Sequence, residues 1–169
     1  MSVKINKQIN FKDGSYYIGD TINDIPHGKG VFYESTGEKY IGKLRKGKYH
    51  GQGEYYFPDG VKQYEGEWKN GLANGYGISY DHKGECYKGN FKNDDHHGYG
   101  VYYNALGNIQ YEGRWKKSKY HGKGIEYYIN SDRFEGMFRY DLKHGKGILY
   151  DKNNQIKTKG KWEKDSFVS

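Results

Sequence analysis

The sequence predicts an all-β protein: an elongated single-layer antiparallel meander of stacked β-hairpins, a rod or trough. Three observations predict it. A unit opening Tyr-x-Gly recurs at positions 17, 40, 64, 87 and 111, and Phe134 and Thr158 take the tyrosine slot, in steps alternating 23 and 24. Within the unit, aromatic residues and glycines alternate with polar or charged ones, the period of two that a strand imposes. A second landmark, Gly-x-Gly, follows each of the first six starts at a constant distance, beginning at Gly28, Gly51, Gly75, Gly98, Gly122 and Gly145.

Taken in order, the chain reads as one repeat domain over 1–169. A lead-in at 1–16 is followed by copies at about 17–39, 40–63, 64–86, 87–110, 111–133 and 134–157, with a partial copy at 158–169. Each copy supplies a first strand such as Tyr64-Glu-Gly66-Glu-Trp68, a Gly/Asn/Asp-rich turn, and a second strand. The second strand carries an apolar residue, Ile78 in the third copy, and then a tyrosine: Tyr33, Tyr56, Tyr80, Tyr103, Tyr127 and Tyr150. Trp68, Trp115 and Trp162 recur every 47 residues, as do Leu44, Phe91 and Phe138, so the copies come in pairs. No window carries a helical stripe, and the 26 glycines disfavour helices. A glycine between two large aromatics leaves a gap across which a ring can lie.

These residues resemble the MORN repeat (membrane occupation and recognition nexus). The resemblance rests on Tyr-x-Gly-x-Trp followed by His50-Gly51-Gln-Gly53 or Asn74-Gly75-Tyr-Gly77, and covers about 17 to 162. Departures are Thr21 and Leu44 in the Trp slot, Phe134 and Thr158 in the Tyr slot, and Asn74 in the His slot. The resemblance implies an elongated sheet of hairpins with a concave aromatic groove. It also implies scaffolding, self-association, or attachment to membranes or cytoskeleton.

Composition bounds the function. The net charge of +7 admits an anionic partner without naming one. Twenty tyrosines, in a chain only 34% hydrophobic, take over burial that Leu and Val supply elsewhere. Cys86 is the one cysteine, so no disulfide forms within the chain. The N-terminal residues lack the apolar core of a signal peptide, and a soluble, cytoplasmic protein is expected, with peripheral attachment to membrane or cytoskeleton as an added expectation.

Two features are candidates for binding. The aromatic face, Tyr40, Tyr64, Trp68, Tyr80, Tyr87, Phe91, Tyr103, Tyr111, Trp115 and Tyr127, is expected to leave rings accessible as a trough for a helix, a peptide or a second copy of the chain. Five residues after each tyrosine start stand Arg45, Lys69, Lys92, Lys116 and Arg139, a basic edge at about 10 Å intervals. That edge reads equally as a site for acidic phospholipid headgroups or as a solvated edge that blocks aggregation. Carbohydrate binding is a third class. Nucleic acid is not expected, because the basic residues sit singly at turns.

No catalysis is expected, since no nucleophile, base and orienting group can be assembled from the repeated slots. No cofactor and no metal are expected either. His27, His50, His97, His121 and His144 recur too far apart to share a ligand shell, and each is expected to brace its turn by a local hydrogen bond.

Overall fold

The computed structural model describes residues 3–169. Every regular element among them is a strand. They run β1 (Val3–Asn10), β2 (Tyr16–Ile22), β3 (Ile25–Tyr33), β4 (Lys39–Arg45), β5 (Lys48–Tyr56), β6 (Lys62–Lys69), β7 (Leu72–Tyr80), β8 (Cys86–Lys92), β9 (Asp95–Tyr103), β10 (Ile109–Lys116), β11 (Lys119–Tyr127), β12 (Arg133–Arg139), β13 (Leu142–Tyr150), β14 (Ile156–Glu163) and β15 (Ser166–Phe167). The chain forms two compact units, Met1–His82 with Lys92–Asp94, and Lys83–Phe91 with Asp95–Ser169. In each, strands pair antiparallel with their neighbours in sequence, the meander expected. The lead-in contributes β1, which runs along β2 from Val3 opposite Ile22 to Asn10 opposite Tyr16.

Each hairpin closes through a two-residue turn in which both residues have positive φ: Asn23-Asp24, Lys46-Gly47, Asn70-Gly71, Asn93-Asp94, Lys117-Ser118, Tyr140-Asp141 and Lys164-Asp165. This turn geometry matches the right-handed twist of the strands, and Asn, Asp and Gly adopt it most readily. The turns are tied to the preceding hairpin. Gly71 N donates to Tyr49 O, Asp94 N to Ala73 O and Asp141 N to Tyr120 O, at 2.9 to 3.1 Å. Asp94 and Asp141 answer with their carboxylates, which accept the N–H of Ala73 and Tyr120 at 2.7 and 2.8 Å.

The alternation of 23 and 24 has a structural cause. Where the step is 24, the register slips by one residue between paired strands, at Tyr55/Tyr56, Ile109/Tyr111 and Leu149/Tyr150. Across β3–β4 and β11–β12, where the step is 23, the ladder runs unbroken. The extra residue is a β-bulge, which inserts one residue into one strand and leaves the partner unchanged.

Directly opposed residues of an antiparallel pair share a face. Tyr64 opposes Ser79 and Trp68 opposes Ala73, whereas Glu65 opposes Ile78. One face of each unit therefore carries the Tyr and Trp slots. The other carries the residues between them.

Candidate functional site

The tyrosine of each start folds back over glycine. A methyl built on Gly124 would fall 2.5 Å from Tyr111 Cζ and 2.6 Å from its Cε2, so no other residue fits beneath that ring. The same overlap joins Tyr17 to Gly30, Tyr40 to Gly53, Tyr64 to Gly77, Tyr87 to Gly100 and Phe134 to Gly147. Lying flat, each hydroxyl reaches the carbonyl three residues on: Tyr40 to Lys43 O at 2.8 Å, Tyr64 to Glu67 O at 3.0 Å, Tyr111 to Arg114 O at 2.9 Å. Burial pushes these phenols up, Tyr17 to about 12. The Trp slot closes the other side of each ring edge-on, with Trp68 5.0 Å from Tyr64 and Trp115 5.3 Å from Tyr111. Their indole N–H groups donate to Gly53 O and Gly100 O, both at 3.1 Å.

A third aromatic slot escapes the sequence reading. Tyr49 stacks on Tyr40 at 3.9 Å, His96 on Tyr87 at 3.7 Å, and Tyr120 on Tyr111 at 3.7 Å. Elsewhere the slot holds Pro26, Ala73 or Lys143, and no common residue type marks it. Lys143 keeps the role by charge, with its ammonium 5.6 Å from the Phe134 ring.

Of the expected trough, Tyr40, Tyr64, Trp68, Tyr87, Phe91, Tyr111 and Trp115 are buried, Tyr40 and Tyr111 completely. The rings are covered by one another. Tyr80, Tyr103 and Tyr127 correct the expectation differently, because they lie on the opposite face. Each stands three residues after the second glycine of Gly-x-Gly, an odd step that turns it away from the glycine-covering ring. There Tyr80 Oη donates to Glu65 Oε1 and Tyr127 Oη to Glu112 Oε1, both at 2.6 Å.

That opposite face is floored by the paired glycines and is open. In the first unit a groove of about 510 Å³ runs past Glu54, Glu65, Glu67, Tyr76 and Ile78. In the second a groove of about 670 Å³ is lined by Tyr99, Glu112, Lys123, Ile125, Glu135, Met137 and Lys146. Tyr76 and Tyr99, between the glycines of their copies, are 57% and 56% exposed. Neither is among the rings that the sequence reading assigned to a trough.

Arg45, Lys69, Lys92, Lys116 and Arg139 are all exposed and end strands β4, β6, β8, β10 and β12 just before the turns. The turn acids Asp94 and Asp141 follow two residues after Lys92 and Arg139, whereas Glu65, Glu112 and Glu135 stand within the strands on the open face of their units. The expected histidine braces are not made at two copies. Nδ1 of His50 and of His121 is buried without a hydrogen-bond partner. Among the described residues no group of three or more His, Cys, Asp or Glu is placed to hold a metal ion. No helix among them is long and apolar enough to cross a membrane.

The family model for the MORN repeat matches six times, at 17–38, 40–62, 64–85, 87–105, 111–133 and 134–156. The chain belongs to the MORN-repeat family, whose members are protein- and membrane-interaction modules of a non-catalytic type. Comparison with curated proteins gives no match.

Proposed function

We propose that this chain is a non-catalytic scaffold that holds a partner protein along its glycine-floored face. The supporting observation is the division of its aromatics. The motif rings are closed against their own glycines and each other, whereas Tyr76 and Tyr99 stand exposed, each over the open groove of its own unit. Tyr80, Tyr103 and Tyr127 border that face, and the other seven residues of the expected trough hold the sheet behind it. A peptide or a helix of the partner, or of a second copy, would lie along the groove. A cytoplasmic location, peripheral to membrane or cytoskeleton, goes with this reading.

The exposure of all five residues of the basic edge supports a second reading, an adaptor on acidic phospholipid headgroups. Each such charge near an anionic surface is worth about 1 kcal/mol. The turn aspartates weaken that field. The readings separate in one experiment: a photo-crosslinking amino acid is placed at Tyr76 or Tyr99 in the groove, and at Lys69 on the edge. Protein adducts from the groove positions alone support the scaffold. Adducts from Lys69 alone, or vesicle binding abolished by neutralising the five edge residues, support the adaptor.

A further inference from the structure

Like-charged residues face each other directly across the open face in both units, and they are treated differently; in the first unit Lys29 opposes Lys43, with Asp20 lining the same groove. In that unit Glu54 also opposes Glu65. Lys62 stands between them, its ammonium 2.8 Å from a carboxylate oxygen of each. In the second unit Lys146 opposes Lys161 and Ile148 opposes Lys159. Opposed residues of this kind lie about 5 Å apart at Cβ, where like charges repel. Lys146, Lys159 and Lys161 are exposed, and no ion pair reaches them among the described residues. Glu135, which lines both grooves beside Lys146, is held by Arg133 at 2.7 Å. Residues 143–169 carry seven lysines against three acidic residues.

The rest of the surroundings narrow the ligand. Lys146 borders two grooves, one of about 670 Å³ shared with Lys123 and Met137, and one of about 600 Å³ shared with Lys159, Lys161 and Ile148. Each has an apolar floor with ammonium groups along its walls, joined by Glu112 and Glu135 in the first groove and by Glu135 and Ser169 in the second. A free phosphate would use the charge and leave the floor bare. An extended peptide uses both, because alternate side chains of a strand point to opposite sides and a bound segment spans several lysines at once.

We infer that the lysine-walled end of the second unit's groove takes an acidic, extended peptide segment, with carboxylates on Lys146, Lys159 and Lys161 and an apolar side chain over Ile148 and Met137. This rests on the proposed partner-binding role of the open face and specifies the chemistry of the partner. Charge complementarity supplies the selection, and the apolar floor supplies contact that salt does not screen.

The test is fluorescence anisotropy with two labelled ten-residue peptides, one alternating Glu and Leu and one alternating Lys and Leu. The acidic peptide is expected to bind at least about tenfold more tightly, a difference worth about 1.4 kcal/mol. The triple variant Lys146→Gln, Lys159→Gln, Lys161→Gln is expected to erase the difference while melting no lower than the parent, since it removes a repulsion. Arg45→Gln with Lys69→Gln is expected to leave it intact. Equal binding of both peptides, or undiminished binding by the triple variant, overturns the inference. Binding to phosphatidylserine vesicles, lost in the triple variant, without binding of the acidic peptide overturns it in favour of a membrane. Should the groove crosslink to a partner while no acidic preference appears, this inference fails and the scaffold reading stands.

Discussion

The two faces of each unit use the same residue type for opposite ends. On the closed face a tyrosine lies flat over two glycines, donates to a backbone carbonyl and is gripped by a tryptophan and often a second ring. On the open face tyrosines stand beside glutamates, as Tyr80 does at Glu65 and Tyr127 at Glu112, and keep part of their rings in water. The first arrangement substitutes for the missing second layer of a sheet. The second leaves a groove.

The most severe way to break this division is to fill the space under a ring. Gly124→Ala places a methyl 2.5 Å from Tyr111 Cζ and must expel the ring, so a loss of about 3–5 kcal/mol is expected in denaturant melts, comparable to deleting the aromatic. A loss under 1 kcal/mol would show that the ring does not depend on bare glycine. Next, Trp115→Ala should cost about 3–5 kcal/mol and Trp162→Ala clearly less. The Trp115 indole donates to Gly100 O, whereas the buried Trp162 Nε1 has no partner, and Thr158 stands where a ring would meet it. Equal losses contradict a graded array.

pH sharpens the comparison within the stacking slot, where Tyr120 and His96 do the same work. Burial pushes His96 down to about 4, below its unfolded value near 6.5. As pH falls, the unfolded chain binds this proton first. The contribution is therefore complete above pH 6.5 and is lost between about 6.5 and 4, on the order of 1–3 kcal/mol. His96→Tyr should lose less stability than the parent over that window; parallel melting curves would remove His96 as the cause. The smallest effect is expected at Thr21, which fills the first Trp slot with a buried hydroxyl lacking a partner. Thr21→Val should raise stability by up to about 1 kcal/mol, since it removes an unsatisfied polar group at nearly constant volume.

The fold was legible because glycine and aromatic spacing is a direct print of ring-over-glycine packing. The bulges, too, were present as the alternation of 23 and 24. The faces were harder to assign. Tyr64 and Tyr80 look equivalent in a list of aromatics, and only the register, with Tyr64 opposite Ser79, sends them to opposite sides. The stacking slot was invisible, because Tyr49, Ala73, His96, Tyr120 and Lys143 share a place without sharing chemistry. The neutralisation of Glu54 and Glu65 by Lys62, and the lack of a counterpart at Lys146 and Lys161, likewise needed the cross-strand partners.

One pair of variants tests the division of faces most directly, because both residues belong to a single copy. Tyr111→Ala removes a fully buried ring and its carbonyl bond, and should cost about 3–5 kcal/mol in denaturant melts. Tyr127→Ala removes a half-buried ring and one bond to Glu112, and should cost about 1–2 kcal/mol. Equal losses, or a larger loss at Tyr127, would contradict the assignment of one face to folding and the other to binding.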